Sequence, residues 1–182
     1  MDLFLAPEKI ETERLCLQRL RYEDAEEIFY AYASKPEATK YLSWPTHRTI
    51  EDTLSFLRFA IEAWNRGTDF SYAIRLKESS RLIGSFGLVH EAGKIQFGYV
   101  LSPSQWGKGY ATEACSQMMT ILKNRNELYR VSTFVDLENI ASIHVLKKSG
   151  LVEEATLSKW FRFVNQGMEP KDCLLLHLPL GR

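Results

Sequence analysis

Three consecutive stretches of alternating apolar and polar residues constrain the fold of this chain most strongly. They read FSYAIRL (70–76), RLIGSFGLVH (81–90) and KIQFGYVLS (94–102), and only short polar breaks separate them. Strands joined by such short connections pair with their sequence neighbours. The pattern therefore predicts an antiparallel meander of three strands.

Helical patterns lie on both sides of this meander. Residues 22–34 carry acids in their first turn and apolar residues at helical spacing, and Pro36 follows them. In the next predicted helix, Thr49 and Asp52 form a capping-box pattern, and Gly67 suits the position just beyond the helix end. Two further helices are predicted after the meander, the first following WGKGY and the second within residues 139–150.

Four more strand patterns complete the predicted order of elements. They lie at residues 12–20, 129–136, 152–160 and 173–179. A series of consecutive antiparallel strands with helices before and after it, together with one strand–helix–strand unit, is typical of an α+β (mixed α/β) fold. We expect one domain over residues 1–182, with a central, largely antiparallel twisted sheet of about seven strands flanked by helices.

Composition excludes several classes of protein. The 23 Lys and Arg residues balance 23 Asp and Glu residues, so the net charge gives no sign of a nucleic-acid partner. No apolar run reaches the roughly 18 residues that a membrane span requires, and the acidic N-terminal stretch is not typical of a signal peptide. We expect no membrane association.

The cysteines and histidines predict neither disulfides nor a metal site. Cys16, Cys115 and Cys173 are odd in number and widely scattered, and buried free thiols are the simplest interpretation. No histidine lies close to Cys115 in sequence, which disfavours a nucleophilic thiol there. No metal-ligand spacing is present among three of the histidines, His90, His144 and His177. A reduced, cytoplasmic, metal-free protein is therefore expected.

The segment SPSQWGKGYAT (102–112) joins the third strand of the meander to a helix. It lacks the first glycine of a Walker A loop, and Thr112 replaces the third glycine of a dinucleotide fingerprint, which disfavours a dinucleotide oxidoreductase. Two interpretations remain open. The amides of residues 107–112 form an anion-binding nest at a helix N-terminus, or Gly107 and Gly109 merely permit a tight turn.

A second candidate feature follows the strand at residues 129–136. In NIASIHVLKKSG (139–150), Asn139 and Ser142 are three residues apart and share one face of the first helical turn. If this strand lies beside the third strand of the meander, two helix N-termini flank one ligand. The alternative for Asn139 is an ordinary N-cap.

Three segments together resemble a known family. They are ETERLCLQRLRYEDAEEIF (11–29), GYVLSPSQWGKGYATEA (98–114) and NIASIHVLKKSGL (139–151). In this order they resemble the GNAT superfamily of acetyl-CoA-dependent N-acetyltransferases, and more narrowly its ribosomal-protein N-terminal (alanine/serine) acetyltransferase branch. The resemblance covers about residues 10–178 and includes the Q-x-x-G-x-G/A element at Gln105, Gly107 and Gly109.

The resemblance implies acetyl-CoA as the cosubstrate and a splayed pair of central strands. It implies that loop amides bind the coenzyme pyrophosphate, that the splayed strand offers unpaired backbone to the pantetheine arm, and that Asn139 bonds this arm. The cofactor-binding residues implied in this way are Tyr99, Val100, Leu101, Gln105, Trp106, Gly107, Lys108, Gly109, Tyr110, Ala111, Thr112, Asn139 and Ser142.

The resemblance also implies direct attack of an amine on the thioester, without an acyl-enzyme. Many members carry a tyrosine general acid seven residues after the asparagine, but that position is Leu146 here. The ribosomal-protein branch has a serine at the place of Ser142, so the resemblance implies Ser142 as the catalytic acid, with an ordinary first-turn serine as the alternative. A glutamate of the branch aligns with Phe161, so no general base is assigned.

The acceptor is expected to be a primary amine, either a protein N-terminus or a small molecule. The family builds its acceptor pocket from the segment between the first two helices and from the late strands, which gives Tyr41, Trp44, Trp160 and Phe161 as candidates, with His47 closer to the surface. For each aromatic residue the alternative is a core or rim position. A monomer or homodimer is expected, and the alternative function is a GNAT-fold acyl-CoA-binding module without transferase activity.

Overall fold

The computed structural model describes residues 4–181 and contains one eight-stranded sheet. The strands are β1 (Lys9–Glu11), β2 (Leu15–Arg19), β3 (Asp69–Leu76), β4 (Leu82–Glu91), β5 (Lys94–Leu101), β6 (Arg130–Asp136), β7 (Val152–Arg162) and β8 (Pro170–His177). Their order across the sheet is β1-β2-β3-β4-β5-β6-β8-β7, and every pair except β5–β6 is antiparallel. The predicted mixed fold and meander are confirmed.

Helices cover both faces of the sheet. They are α1 (Ala25–Ile28), α2 (Pro36–Thr39), α3 (Ile50–Arg66), α4 (Tyr110–Lys123) and α5 (Ile140–Lys148). The larger apolar cluster packs α4 and α5 against the sheet, whereas the smaller one packs α1 and α3. Strand β3 divides its side chains between the two, since Tyr72 and Ile74 belong to the first cluster and Ala73 to the second.

Local signals explain most of these elements. Thr49 accepts the Asp52 amide and Asp52 accepts the Thr49 amide, which is the predicted capping box of α3. Gly67 ends that helix with a φ of +72°, in the left-handed region that glycine tolerates. Strand β1 raises the number of strands from the expected seven or so to eight. It has only three residues, too few to show the alternation of apolar and polar residues that predicts a strand.

The predicted helix over residues 22–34 is irregular in the structure. A 3₁₀ turn (Tyr22–Asp24) precedes α1, and a π-helical stretch (Phe29–Ala33) follows it. The π-helical stretch contains the fully buried Tyr32, whose hydroxyl contacts Ser85 of β4. Pro36 is the first residue of α2 and therefore starts a new helix at this point.

A buried ion-pair network fixes this irregular segment to the sheet. Arg75 of β3 donates 2.8 Å hydrogen bonds to both Asp24 and Glu27, and the Asp24 side chain is only 2% exposed. Glu27 also accepts the backbone amide of Leu82 at 2.9 Å. The network holds the segment that leads into α2, which reaches the cavity described below.

We expect the substitution Arg75→Met to lower the free energy of unfolding by about 3 kcal/mol, because it leaves the buried Asp24 carboxylate with only the longer, 3.5 Å contact of the exposed Arg21 guanidinium. Urea denaturation of the purified protein measures this change. The exposed Arg81, at the edge of β4, provides the control, and Arg81→Met should change the free energy by less than about 0.5 kcal/mol. Equal effects of the two substitutions would contradict the stabilising role of the network.

Candidate active site

A cavity of about 650 Å³ opens where the parallel strands β5 and β6 diverge. The two strands pair only over Lys94–Gln96 and Arg130–Ser132. One residue further on, the Thr133 hydroxyl donates a 2.7 Å hydrogen bond to the carbonyl oxygen of Phe97. This side-chain bond replaces the next rung of the ladder, and the edge of β5 that faces β6 has no strand partner beyond it.

Five parts of the chain line the cavity. They are the α2 region (Glu37, Ala38, Tyr41, Leu42, Ser43), β5 with its following loop (Gln96, Phe97, Gly98, Tyr99, Val100, Leu101, Gln105, Trp106, Gly107, Gly109), the start of α4 (Tyr110, Ala111, Thr112), β6 with α5 (Thr133, Phe134, Val135, Asn139, Ala141, Ser142, Val145, Leu146, Lys148), and the end of β7 (Phe161, Phe163). The cavity therefore collects most of the site residues expected from the sequence.

The loop before α4 contributes residues with unpaired backbone amides to the cavity wall. Gly107 and Gly109 have φ values of +74° and +81°, and Gly109 is the residue that caps α4. Within residues 4–181, the amides of residues 107–112 have no backbone acceptor. Unpaired amides at a helix N-terminus, where the helix dipole is positive, are suited to bind an anion.

The start of α4 is anchored to the start of β2. Glu113 accepts hydrogen bonds from the Thr12 hydroxyl and from the backbone and Nε of Arg14, at 2.5, 2.7 and 2.6 Å. Arg14 also donates to the Lys108 carbonyl at 3.0 Å, and its guanidinium lies 4.5 Å from the centre of the Tyr110 ring. Burial by itself raises the pKa of Glu113, but these hydrogen bonds outweigh burial and hold that pKa below its ordinary value.

Two side chains of the loop bond within the loop itself. The Lys108 ammonium donates a 3.0 Å hydrogen bond to the buried Gln105 side chain, and Lys108 does not line the cavity. The Trp106 indole donates to the Leu101 carbonyl at 3.0 Å. Both contacts help to fix the loop conformation, and the Lys108 ammonium is bound to Gln105 outside the cavity lining.

The start of α5 forms the opposite wall. Asn139 caps this helix, since its Oδ1 accepts the Ser142 amide at 3.2 Å, while its Nδ2 finds no acceptor within residues 4–181. The Ser142 hydroxyl lies 2.9 Å from the Tyr99 hydroxyl of β5, on the other side of the gap. Burial raises the pKa of Tyr99 more strongly than the contact with Ser142 lowers it, so the phenol stays protonated at neutral pH.

The far end of the cavity is mainly aromatic. Of the expected acceptor residues, Tyr41 and Phe161 line it, whereas neither Trp44 nor Trp160 does. Trp44 packs against the rings of Tyr32 and Phe56 in the smaller cluster and against the ring of His47. Trp160 is 54% exposed and touches Phe134 edge to face. His47 is half-buried, which lowers its pKa, and it bonds Thr53 at 2.8 Å.

Charged side chains are rare on the cavity wall. Among the lining residues of the described chain, Glu37 is the one carboxylate and Lys148 the one cation. Cys115 is fully buried beside the cavity, and burial raises its pKa to about 11, so it stays a neutral thiol. Residues 4–181 contain no group of three potential metal ligands and no helix long and apolar enough to cross a membrane.

Several of these site residues carried no signal in the sequence. Glu37, Phe134 and Phe163 resemble many other residues until the sheet brings them together. The ion pair of Arg14 with Glu113 joins residues 99 positions apart, and the hydroxyl pair of Tyr99 with Ser142 joins residues 43 apart. A single sequence offers no local pattern for contacts of that separation.

Comparison with known proteins identifies a family and a shared fold. Residues 14–152 match the family model described as "Acetyltransferase (GNAT) domain". An uncharacterised N-acetyltransferase, p20 of Bacillus licheniformis, is 29% identical over 153 residues, which cover 82% of this chain and 85% of p20.

Two solved structures share the fold. One is RimL, a ribosomal L7/L12 α-N-protein acetyltransferase in complex with coenzyme A, with a TM-score of 0.83 and 18% identity over 93% of this chain and 97% of RimL. The other is the microcin C7 self-immunity acetyltransferase MccE with acetyl-CoA and AMP, with a TM-score of 0.84 and 19% identity over 97% and 98% of the two chains. With the family model covering most of the chain, these findings establish that the protein belongs to the GNAT family of N-acetyltransferases.

Proposed function

We propose that this protein transfers the acetyl group of acetyl-CoA to a primary amine by direct attack. The observation that carries the proposal is the cavity between β5 and β6, where unpaired strand backbone and two helix N-termini meet. RimL and MccE, which share the fold, were solved with coenzyme A and acetyl-CoA respectively.

The loop and α4 fit the phosphate end of this cosubstrate. A diphosphate needs several hydrogen-bond donors on one concave surface. The backbone amides of residues 107–112 offer such donors, and no side chain is required. Lys148, on the cavity wall, adds one positive charge. A loop that is already fixed before the cosubstrate binds loses less conformational entropy on binding. The contacts of Arg14 with Glu113 and with the Lys108 carbonyl fix this loop.

The open edge of β5 fits the amide-containing pantetheine arm. An extended chain of amides can add to an unpaired strand edge through main-chain hydrogen bonds. Residues 98–101 offer that edge because the β5–β6 ladder ends at Gln96. The Asn139 Nδ2 group is a further donor on the opposite wall.

The residues on the cavity wall can then assist the chemical step. Acetyl-CoA supplies a thioester, whose acyl carbon a neutral amine can attack. A backbone N–H of β5 can donate to the carbonyl oxygen as negative charge develops there. The Ser142 hydroxyl can donate a proton to the departing thiolate, and the attacking amine releases one proton in exchange. Holding both reactants in one cavity supplies the remaining acceleration.

The acceptor end favours an amine with apolar surroundings. Its walls carry Tyr41, Phe161 and Phe163, and Glu37 is the carboxylate available to attract the ammonium form. This composition suits a small apolar amine or a peptide N-terminus better than a polycation, which would need several carboxylates.

One observation favours the alternative of a binding module. Leu146 and Phe161 occupy positions where the resemblance implies a tyrosine acid and a glutamate, and both line the cavity without an ionisable group. Incubation of the protein with acetyl-CoA and a panel of N-terminal peptides and small amines, with detection of free thiol, separates the two functions. Release of CoA that depends on an amine supports transfer, whereas binding without release across the panel supports the module.

We expect Ser142→Ala to lower kcat at least about tenfold and to leave the KM for acetyl-CoA nearly unchanged, because a positioned acid acts mainly in the transition state. Steady-state kinetics with the best amine of the panel measure both constants. Ser116→Ala on α4 is the control, since Ser116 is half-buried and lies outside the cavity lining. An unchanged kcat for Ser142→Ala would refute the role.

We expect Thr133→Val to weaken CoA binding at least about fivefold, which corresponds to about 1 kcal/mol. The substitution removes the hydroxyl that satisfies the Phe97 carbonyl, and the strands gain by extending their ladder into the gap. Isothermal titration calorimetry with CoA measures the Kd. Thr156→Val on the exposed strand β7 should have no effect, and unaltered binding by Thr133→Val would mean that the hydroxyl does not maintain the gap.

We expect Glu113→Gln to raise the Kd for CoA severalfold and to cost about 1 kcal/mol of stability, because the α4 anchor loses its charge. The folded-state pKa of Glu113 lies below its ordinary value of 4.5, so the stability advantage of the wild type is full above that pH and declines as the pH falls through the folded-state pKa. Thermal unfolding at pH 7 and pH 3 measures this advantage.

Glu127→Gln is the matched control for Glu113→Gln. The Glu127 side chain has the same 17% exposure and an arginine partner, Arg125, but lies outside the cavity lining. Its Kd for CoA should equal that of the wild type. A stability advantage of Glu113 that grows toward acid pH would contradict the assigned direction of its pKa.

A further inference from the structure

The hydroxyl groups of Tyr99 and Ser142 form a pair that bridges the cavity. Tyr99 comes from β5 and Ser142 from the first turn of α5, and their oxygens are 2.9 Å apart. Both residues line the cavity at the gap between the strands. The expected function of Tyr99 involved only its backbone, so a contact made by its side chain is a separate feature.

The surroundings of the pair determine which hydroxyl donates. The Tyr99 ring packs against the larger core cluster and stacks on Phe86 with the centroids 6.1 Å apart. Within residues 4–181 the Tyr99 hydroxyl has no hydrogen-bond partner except Ser142. If Ser142 donated to Tyr99, the phenol hydrogen would lack an acceptor in the protein, which is costly near a core. A phenol is also a stronger acid than an alcohol and therefore the better donor.

Tyr99 remains able to donate at every physiological pH. Burial raises its pKa above the ordinary value of 10, so it keeps its proton. The Ser142 oxygen therefore accepts one hydrogen bond from Tyr99, and the hydrogen of Ser142 is free to point into the cavity. A hydroxyl that accepts a hydrogen bond is a stronger donor in turn, because neighbouring hydrogen bonds polarise each other.

We propose that Tyr99 is a positioning residue that orients the Ser142 hydroxyl toward the sulfur of the bound coenzyme and strengthens it as a proton donor. This inference rests on the proposed function. In the transfer step, the bond from nitrogen to the acyl carbon forms, the carbon–sulfur bond breaks, and its electron pair goes to sulfur. Sulfur takes the Ser142 proton, and the amine loses one proton to water, which returns one to Ser142. Tyr99 keeps its own proton throughout.

The substitution Tyr99→Phe tests the proposal because it removes one hydroxyl and keeps the ring that stacks on Phe86. We expect it to lower kcat about tenfold, as Ser142→Ala does, with the KM for acetyl-CoA changed less than twofold. Because Tyr99 acts through Ser142, the double variant should be no slower than Ser142→Ala alone. Independent, multiplicative losses in the double variant would overturn the proposal.

A second measurement needs no acceptor amine. In the complex with CoA, a donor aimed at sulfur stabilises the thiolate, so the pKa of the bound thiol should lie below that of free CoA. The ultraviolet difference absorbance of the thiolate, followed against pH, measures it. We expect Tyr99→Phe and Ser142→Ala to raise this pKa by similar amounts. If Tyr99→Phe leaves it at the wild-type value, the proposal is wrong.

Tyr72→Phe is the matched control. The Tyr72 hydroxyl also makes one hydrogen bond, 2.8 Å to the Pro7 carbonyl, and its side chain is buried in the same cluster but outside the cavity. This variant should lose thermal stability without changing kcat or the thiol pKa, and an equal change in both variants would overturn the specific role of Tyr99. If the wild type turns over no amine, the proposed transferase function fails, and the thiol pKa then decides the role of Tyr99 by itself.

Discussion

The early end of the β5–β6 ladder is the constraint on which the candidate site depends. A ladder continued beyond Gln96 would consume the backbone groups of residues 98–101 and leave no cavity between the strands. Ending it inside a sheet is costly, because interior N–H and C=O groups need partners. Thr133 reduces that cost at the fork, since its hydroxyl satisfies the Phe97 carbonyl without extending the strand pairing. The remaining open edge is a place where another chain of amides can bind.

The parallel direction of these two strands determines which parts of the chain surround the gap. Both β5 and β6 lead into helices, so α4 and α5 begin at the same end of the sheet, where ligands of open α/β sheets bind. The positive N-terminal ends of two helices can attract an anion with little help from charged side chains. This agrees with the cavity wall, where Lys148 is the one cation among the residues that the structure describes. A net charge of zero is therefore compatible with a phosphate site.

Short-range patterns predicted the fold and the loop, because the forces that form them act over a few residues. Thr49 with Asp52, the two loop glycines and Asn139 as an N-cap all depend on neighbours within about four positions. The anchor of Glu113 on Arg14 and the pairing of Tyr99 with Ser142 depend on the assembled sheet instead. Likewise, Trp44 and Trp160 are aromatic residues of the kind expected in an acceptor pocket. Only the packed structure shows that Tyr41 and Phe161 line the cavity and that the two tryptophans do not.

The two ends of the cavity differ in how they can recognise a ligand. The end next to the loop before α4 offers main-chain amides, which any sequence supplies once Gly107 and Gly109 permit the turn. The opposite end is lined by side chains such as Glu37 and Phe161, and each substitution there alters shape and charge. The loop end of the cavity is therefore recognisable from the sequence by its two glycines, whereas the other end depends on side chains that only the assembled fold brings together.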